Sequence, residues 1–287
     1  ATRGGAGQRA AACCRGGVVV IVYESPTNTI HRADARQVAA EQAAGSFSLA
    51  VLDGPYGMRK AAWDMMKVSG LPEWYAPHLD DAGRLCAPSA SLYVWNTAEG
   101  WATLHPGIVA RGWAFKSLVV WDKVNTGAML GHASMTEWPD TTEVCGFYGR
   151  GSMRADIPGK VGTVWRLAQS QYRSERLYSG RMVRAKIGGS MVQETLHPSQ
   201  KPLAFADRII RASSRLGERV WVPFGGTCRE AVAAEWMARA EPDEARQVVT
   251  CEIDEDGRNY LGAVVRQIRG EDVRPRSPLQ ASLFGAA

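Results

Sequence analysis

Phe47-Ser48-Leu49-Ala50-Val51-Leu52-Asp53-Gly54-Pro55-Tyr56-Gly57-Met58 is the stretch on which the fold of this chain turns. Its first half is a short apolar run with the length and composition of a buried strand. Gly54, Pro55 and Gly57 then stop that strand within a few residues. The outcome is a carboxylate (Asp53), two backbone carbonyls and the Tyr56 ring, all presented at the carboxyl end of a strand. Open α/β sheets bind their ligands at that edge. An Asp-Gly-Pro turn standing alone is more often a tight connection, so its meaning depends on what surrounds it.

Outward from this stretch the chain alternates strand and helix. Val18–Tyr23 and Ile30–Asp34 read as strands, and Ala35–Ala44 as a helix ended by Gly45. After the opening motif, Leu71–Leu85 has helical spacing, Ser91–Trp95 is a strand, Ala98–Ala110 a helix stopped before Gly112, and Ala114–Trp121 a strand. From about Lys123 to Gln193 no helix or strand period survives. The alternation then resumes with a helix at Leu203–Leu216, a strand at Val220–Val222 and a helix at Arg229–Ala240. A strand at Gln247–Ile253 and a helix at Asp256–Ile268 follow. Such βαβα order predicts a mostly parallel central sheet with helices on its faces.

At 287 residues the chain can form one large α/β domain or a core carrying an inserted lobe. It is 45% hydrophobic and 22% charged, ordinary values for a soluble globular protein. No apolar run approaches the ~20 residues of a membrane span, so no membrane partner is expected. Cysteines stand at 13, 14, 86, 145, 228 and 251, with no C-x-x-C pair and five scattered histidines. That pattern supports neither a disulfide framework nor a metal site, and it suits a reducing, cytoplasmic setting.

The net charge of +5 is concentrated. Between Cys145 and Ser190 nine cations (Arg150, Arg154, Lys160, Arg166, Arg173, Arg176, Arg181, Arg184 and Lys186) face only two acids, Asp156 and Glu175. Trp165, Tyr172 and Tyr178 are interleaved with them. Cations mixed with aromatic rings suit a surface that tracks a nucleic-acid backbone; a solvated loop region is the plainer alternative.

Two further blocks carry chemistry. His197-Pro198-Ser199-Gln200-Lys201-Pro202 leads into a helix. Val222-Pro223-Phe224-Gly225-Gly226-Thr227 precedes a helix and then a strand ending in Glu252-Ile253-Asp254. Gly225-Gly226 at a strand-to-helix turn lets backbone amides approach a ligand closely. An acid at the end of the next strand, Glu252, suits a pair of ribose hydroxyls. His197 and Lys201 offer a donor and a cation for a carboxylate. Asp34 and Thr227 are weaker ligand candidates, since Asp34 serves equally as an N-cap for the helix that begins near Ala35.

In this order the blocks resemble the β-class amino-methyltransferases of DNA, bacterial and phage enzymes in which D/S-P-P-Y precedes a target-recognition region, then H-P-x-Q-K-P, then D-P-F-x-G-S-G. The resemblance spans roughly Ile30 to Arg269, and the block from His197 to Pro202 matches without a departure. It implies a Rossmann-like methyltransferase fold, S-adenosylmethionine as cofactor and double-stranded DNA as substrate. The implied organisation is a tail at 1–17, a catalytic domain built from 18–123 and 193–270, a basic recognition insert at 124–192 and a tail at 271–287.

The resemblance also assigns roles. Asp53 and the Gly54 carbonyl would accept the hydrogens of an exocyclic amine and turn its lone pair toward the methyl group. Pro55 would stiffen the turn, and Tyr56 would stack on a base extruded from the duplex. The cofactor would rest on Asp34, Asp53, His197, Ser199, Gln200, Lys201, Pro223, Phe224, Gly225, Gly226, Thr227, Glu252 and Asp254, and the nine cations would face DNA.

Adenine N6 is the preferred target, because the motif opens with Asp rather than the Ser common among the cytosine-N4 enzymes. Cytosine-N4 methylation of DNA, RNA or protein-amide methylation, and a catalytically silent DNA-binding relative are the alternatives. Gly54 stands where the family has its first proline, Val222 where it has Asp, and Cys228-Arg229 where it has Gly-Thr. Members of the family often form homodimers and serve in restriction-modification. Gln280-Ala281-Ser282-Leu283-Phe284 resembles the pentapeptide that docks bacterial proteins on the replication sliding clamp, or is an incidental Leu-Phe.

Overall fold

The computed structural model describes residues 18–59, 64–124, 138, 140–153, 155–157, 161–168, 171, 175–184, 190–197, 199–253 and 260–271. Of the sequence expectations, Arg154, Lys160, Arg173, Lys186, Asp254, the 1–17 tail and the Gln280–Phe284 segment lie outside these residues.

A nine-stranded sheet runs in the order β1-β2-β11-β10-β3-β4-β6-β5-β7. Its strands are β1 (Val20–Ser25), β2 (Asn28–Arg32), β3 (Phe47–Leu52), β4 (Cys86–Asn96), β5 (Ala114–Asp122), β6 (Thr142–Gly149), β7 (Val164–Arg166), β10 (Arg219–Val222) and β11 (Gln247–Glu252). A separate antiparallel ribbon pairs β8 (Tyr178–Arg184) with β9 (Met191–Thr195). The middle of the large sheet, β2-β11-β10-β3-β4, is parallel throughout. Its strands therefore all deliver their following loops to one edge.

Apolar alternation along the central strands divides the interior in two. Leu49 and Val51 of β3, with Tyr93 and Trp95 of β4, face α4 (Leu203–Ser213), α5 (Arg229–Ala240) and α6 (Tyr260–Arg269). Ala50 and Leu52, with Leu92 and Val94, face α1 (Ala35–Glu41), α2 (Leu71–Leu85) and α3 (Ala98–Ala110). Period-two side-chain alternation in a strand buried on both faces produces this division. The fold is the mostly parallel α/β arrangement that the strand-helix alternation predicts, in the Rossmann-like form that the resemblance implies.

Three differences from the sequence reading stand out. β1 and β2 reach into the turn-rich segment at 24–28 and form a hairpin closed at Ser25 and Asn28. α4 ends at Ser213 rather than Leu216, where Ser214 becomes extended. The largest difference is β6, a strand within the stretch where no period was legible, inserted antiparallel between β4 and β5. Its sequence, Thr-Glu-Val-Cys-Gly-Phe-Tyr-Gly, carries an acid and two glycines that dilute the strand signal. Gly146 is small for a tertiary reason, because a Cβ there would come within 2.5 Å of Trp101 Nε1.

Candidate active site

Four neighbouring parallel strands end side by side. β11 ends at Glu252, β10 at Val222, β3 at Leu52 and β4 at Asn96. Asp53-Gly54-Pro55-Tyr56 therefore lies beside the Gly225-Gly226 turn, with Glu252 on its far side. No motif could place these segments side by side. The parallel register does.

Asp53, 26% exposed, is the outermost member of a charged cluster. Lys201 donates to both of its oxygens at 2.9 Å, and Tyr56 Oη donates to Oδ1 at 2.7 Å. Lys201 Nζ also lies 3.0 Å from Glu143 Oε2 and 2.9 Å from Tyr56 Oη. Glu143, on β6, holds Lys123 through its other oxygen at 2.8 Å. The four charges alternate in sign as Lys123, Glu143, Lys201, Asp53. Burial raises the Asp53 carboxyl above its ordinary range, opposed by Lys201 and reinforced by the charge of Glu143. Burial would raise Glu143 as well, but Lys201 and Lys123 outweigh it and hold the carboxyl down at about 2. Burial would lower Lys201; Asp53 and Glu143 instead keep it well above the usual lysine value. The lysine is a fixed cation at neutral pH.

Tyr56 is 8% exposed, its hydroxyl turned into this cluster. Its backbone is organised by Asp64, a buried carboxylate that accepts from the amides of Tyr56 (2.8 Å), Gly57 (2.6 Å) and Met58 (3.0 Å). The Pro55 carbonyl takes Tyr75 Oη at 3.3 Å and Asn96 Nδ2 at 3.4 Å. Gly54 lies beneath two rings, where a Cβ would stand 2.7 Å from Tyr75 Oη and 3.0 Å from Phe224. Packing thus accounts for glycine where the family pattern has proline. No sequence motif pointed to Glu143, Asp64, Tyr75 or Asn96. The one available signal was an acid at Glu143 immediately before the apolar residues Val144 and Cys145.

On the cofactor side, Gly225 leaves no room for a side chain, since a Cβ would meet Thr250 at 2.5 Å and the Cys251 carbonyl at 3.1 Å. Gly226 is left-handed (φ +49°), and its amide donates to Glu252 Oε2 at 2.5 Å. The His197 ring faces the same glycine. Phe224 packs against Trp74, Tyr75 and His78. Burial lowers His78 to about 4, so it is a neutral aromatic partner there. A glycine turn, a carboxylate beside it and an aromatic wall form a cradle that fits a nucleoside ligand with ribose hydroxyls.

Other expected ligands have local partners. Asp34 caps α1 by accepting from Arg36 N at 2.9 Å. Ser199 N lies 3.3 Å from His197 Nδ1. Thr227 is buried, and its carbonyl accepts from Arg229. Gln200, 3% exposed, donates to the Glu175 carbonyl at 2.9 Å and accepts from Leu177 N at 3.0 Å. It ties the segment before β8 to the start of α4. Cys228 takes the left-handed conformation (φ +47°) at the start of α5, where the family pattern has glycine.

Among the expected DNA-facing cations, Arg150 requires correction. It lies at the opposite edge of the sheet, donates to the Gly83 and Arg111 carbonyls at 2.7 and 3.3 Å, and stacks over Trp113. It locks backbone together because β6 runs antiparallel and ends away from Asp53. Arg166 is exposed on β7 beside Asp122, Arg176 is half-buried, and Arg181 and Arg184 are exposed on β8.

A mostly parallel sheet with a carboxylate beside a glycine-turn cradle at its carboxyl edge is the arrangement of the Rossmann-like methyltransferase class. The chain matches the DNA methylase family over residues 47–261, and it belongs to that family, whose members methylate N6 or N4 amines. It is 23% identical to the Type II methyltransferase M1.MboII of Moraxella bovis over 276 residues, covering 84% of this chain and 97% of that one. Solved structures of similar fold include the PvuII DNA methyltransferase (cytosine-N4-specific), with TM-score 0.62, 12% identity and coverage of 90% and 91% of the two chains. Another is the M1.HpyAVI–SAM complex, with TM-score 0.55, 15% identity and coverage of 84% and 99%. No described helix is long and apolar enough to cross a membrane.

Proposed function

We propose that this chain transfers a methyl group from S-adenosylmethionine to the exocyclic N6 of adenine in double-stranded DNA. The observation that carries the reading is the placement of Asp53 at the end of β3, beside the Gly225-Gly226 cradle on the adjacent parallel strand. Gly225, Gly226, Phe224 and Glu252 would hold the cofactor, with His197 closing over Gly226; when bound, it supplies an electrophilic methyl group on a sulfonium. Membership of a DNA methylase family supports this assignment.

The chain's own share is to prepare the amine. An exocyclic amine is a poor nucleophile because its lone pair is delocalised into the ring. Asp53 and the Gly54 carbonyl accept its two hydrogens and hold the nitrogen so that the lone pair turns out of conjugation. Tyr56 supplies an aromatic face for a base taken out of the stack. Arg166, Arg176, Arg181 and Arg184 form the described part of a phosphate-binding surface, with the β8-β9 ribbon as part of the recognition region. The opening Asp supports adenine. Cytosine N4 is the second reading, since the family includes both targets. Relatedness to a Type II methyltransferase supports a role in restriction-modification.

Labelled methyl transfer to unmethylated DNA tests the enzyme, and Asp53→Ala is expected to abolish it while leaving S-adenosylhomocysteine binding measurable by calorimetry. DNA binding without any transfer by the wild type would favour a silent relative. Identifying the modified base in the product decides between adenine and cytosine.

A further inference from the structure

Around Lys201 acceptors outnumber protons. An ammonium carries three hydrogens, yet Nζ lies within 2.9–3.0 Å of both Asp53 oxygens, Tyr56 Oη and Glu143 Oε2. The single Tyr56 hydroxyl hydrogen likewise has two carboxylates in reach, Asp53 Oδ1 at 2.7 Å and Glu143 Oε2 at 3.1 Å. Six short contacts therefore share four protons, and the two carboxylates compete for the same donors. The competitors differ in setting. Glu143 sits on a strand paired on both sides, is 12% exposed and is held by Lys123. Asp53 is at the rim of the sheet edge.

We propose that Glu143 is a positioning residue for methyl transfer: it is the second seat of Lys201 and of the Tyr56 hydroxyl, onto which both shift when the target amine claims Asp53. The inference rests on the reading of Asp53 as the amine's acceptor. A buried ammonium cannot be left without a counter-charge. With Glu143 in place, Lys201 can release an Asp53 oxygen and keep its hydrogens satisfied. Without it, the lysine stays on both oxygens of Asp53, and the amine must compete with a buried ion pair. The groups facing Glu143 are Lys123, Lys201, Tyr56 and, beyond them, Asp53; the charges of Asp53 and Lys201 are in turn felt by the buried Glu230 of α5 and Cys145 of β6.

The test is single-turnover methyl transfer by the full chain on unmethylated genomic DNA at saturating S-adenosylmethionine. Glu143→Gln is expected to lower the rate about 10- to 100-fold, a loss of the size that misplacement of a reacting group produces. Its affinity for S-adenosylhomocysteine should stay within about twofold of wild type, marking the loss as one of chemistry rather than ground-state binding. The acidic limb of the rate profile should also move to lower pH, because the negative charge of Glu143 helps to raise the Asp53 carboxyl and the variant lacks it. Glu143→Asp keeps the charge and is expected between wild type and the Gln variant in rate, with its acidic limb unmoved. Wild-type rates in both variants would overturn the proposal, as would a Gln variant that loses rate, cofactor affinity and unfolding midpoint together. Should the Gln variant not fold, the Asp variant decides: a rate equal to wild type sinks the idea. If Asp53→Ala still transfers methyl, the acceptor reading itself fails; if it is inactive while Glu143→Gln is unaffected, only the role of Glu143 fails.

Discussion

Three successive amides, those of Tyr56, Gly57 and Met58, converge on the carboxylate of Asp64. The loop proposed to prepare the amine is thus held in large part by a buried side chain outside every recognisable motif. Asp64→Ala strands these donors and is expected to cost on the order of 2 kcal/mol or more in stability by urea unfolding. The methyl-transfer rate should fall by about tenfold or more as Asp53 and Tyr56 loosen; an unchanged rate would separate the loop's order from its chemistry. The motif residues were legible as special, but their tasks were legible only in part. Gln200 belongs to an intact six-residue match, yet its amide is committed to the backbone at 175 and 177. Lys201 reads in the sequence as a useful cation, and its partners in the structure are carboxylates just after β3 and on β6. Spacing along a chain cannot report a contact between residues 58 and 148 positions apart.

At the scale of elements, β6 carries the most consequence. It fills the gap between β4 and β5 and brings Glu143 to the cluster. Gly146→Ala would place a methyl group 2.5 Å from Trp101 Nε1, whose hydrogen bond to Tyr148 Oη at 2.9 Å fixes the ring. Such overpacking is expected to destabilise by about 1–3 kcal/mol, measurable by urea unfolding; a neutral result would show that α3 can shift away. The strands and helices with clean periods, β3, β4, α2, α3, α5 and β11, were all legible at their cores, because a buried parallel strand and a two-sided layer of helices impose simple patterns. β6 was not, because Gly146 answers to Trp101 of α3 and Glu143 to Lys201 in the loop before α4 rather than to strand propensity.

For the whole molecule, two buried acids give stability a pH dependence. Burial raises Glu230 to about 7 and Glu175 to about 6, with the Leu203 amide opposing the latter. Both folded values exceed the ordinary glutamate value of about 4.5, so the stability they contribute is full below that pH and is lost as pH rises through 6 and 7. Glu143 has the opposite sign: its contribution is present above the ordinary value and lost only as pH falls toward 2. Between pH 5 and pH 7 Glu230 and Glu175 contribute a decline in unfolding free energy, opposed below about pH 6.5 by His78, whose folded value of about 4 lies beneath the ordinary histidine value of 6.5. Glu230→Gln should flatten that decline by on the order of 1–3 kcal/mol. A variant as pH-dependent as wild type would show that Glu230 is ionised in the folded state at little cost.

The sequence by itself determined the alternation of strands and helices, the class of sheet, the motif order and the family. These depend on local periodicity and on short contiguous blocks, both of which survive in one dimension. Only the tertiary structure decided that Asp53 lies beside the glycine cradle, that Lys201 is shared between Asp53 and Glu143, and that Arg150 sits at the opposite edge. Those outcomes follow from parallel register, from an antiparallel strand inserted between β4 and β5, and from burial, which forces each charge to find a partner wherever the fold places one.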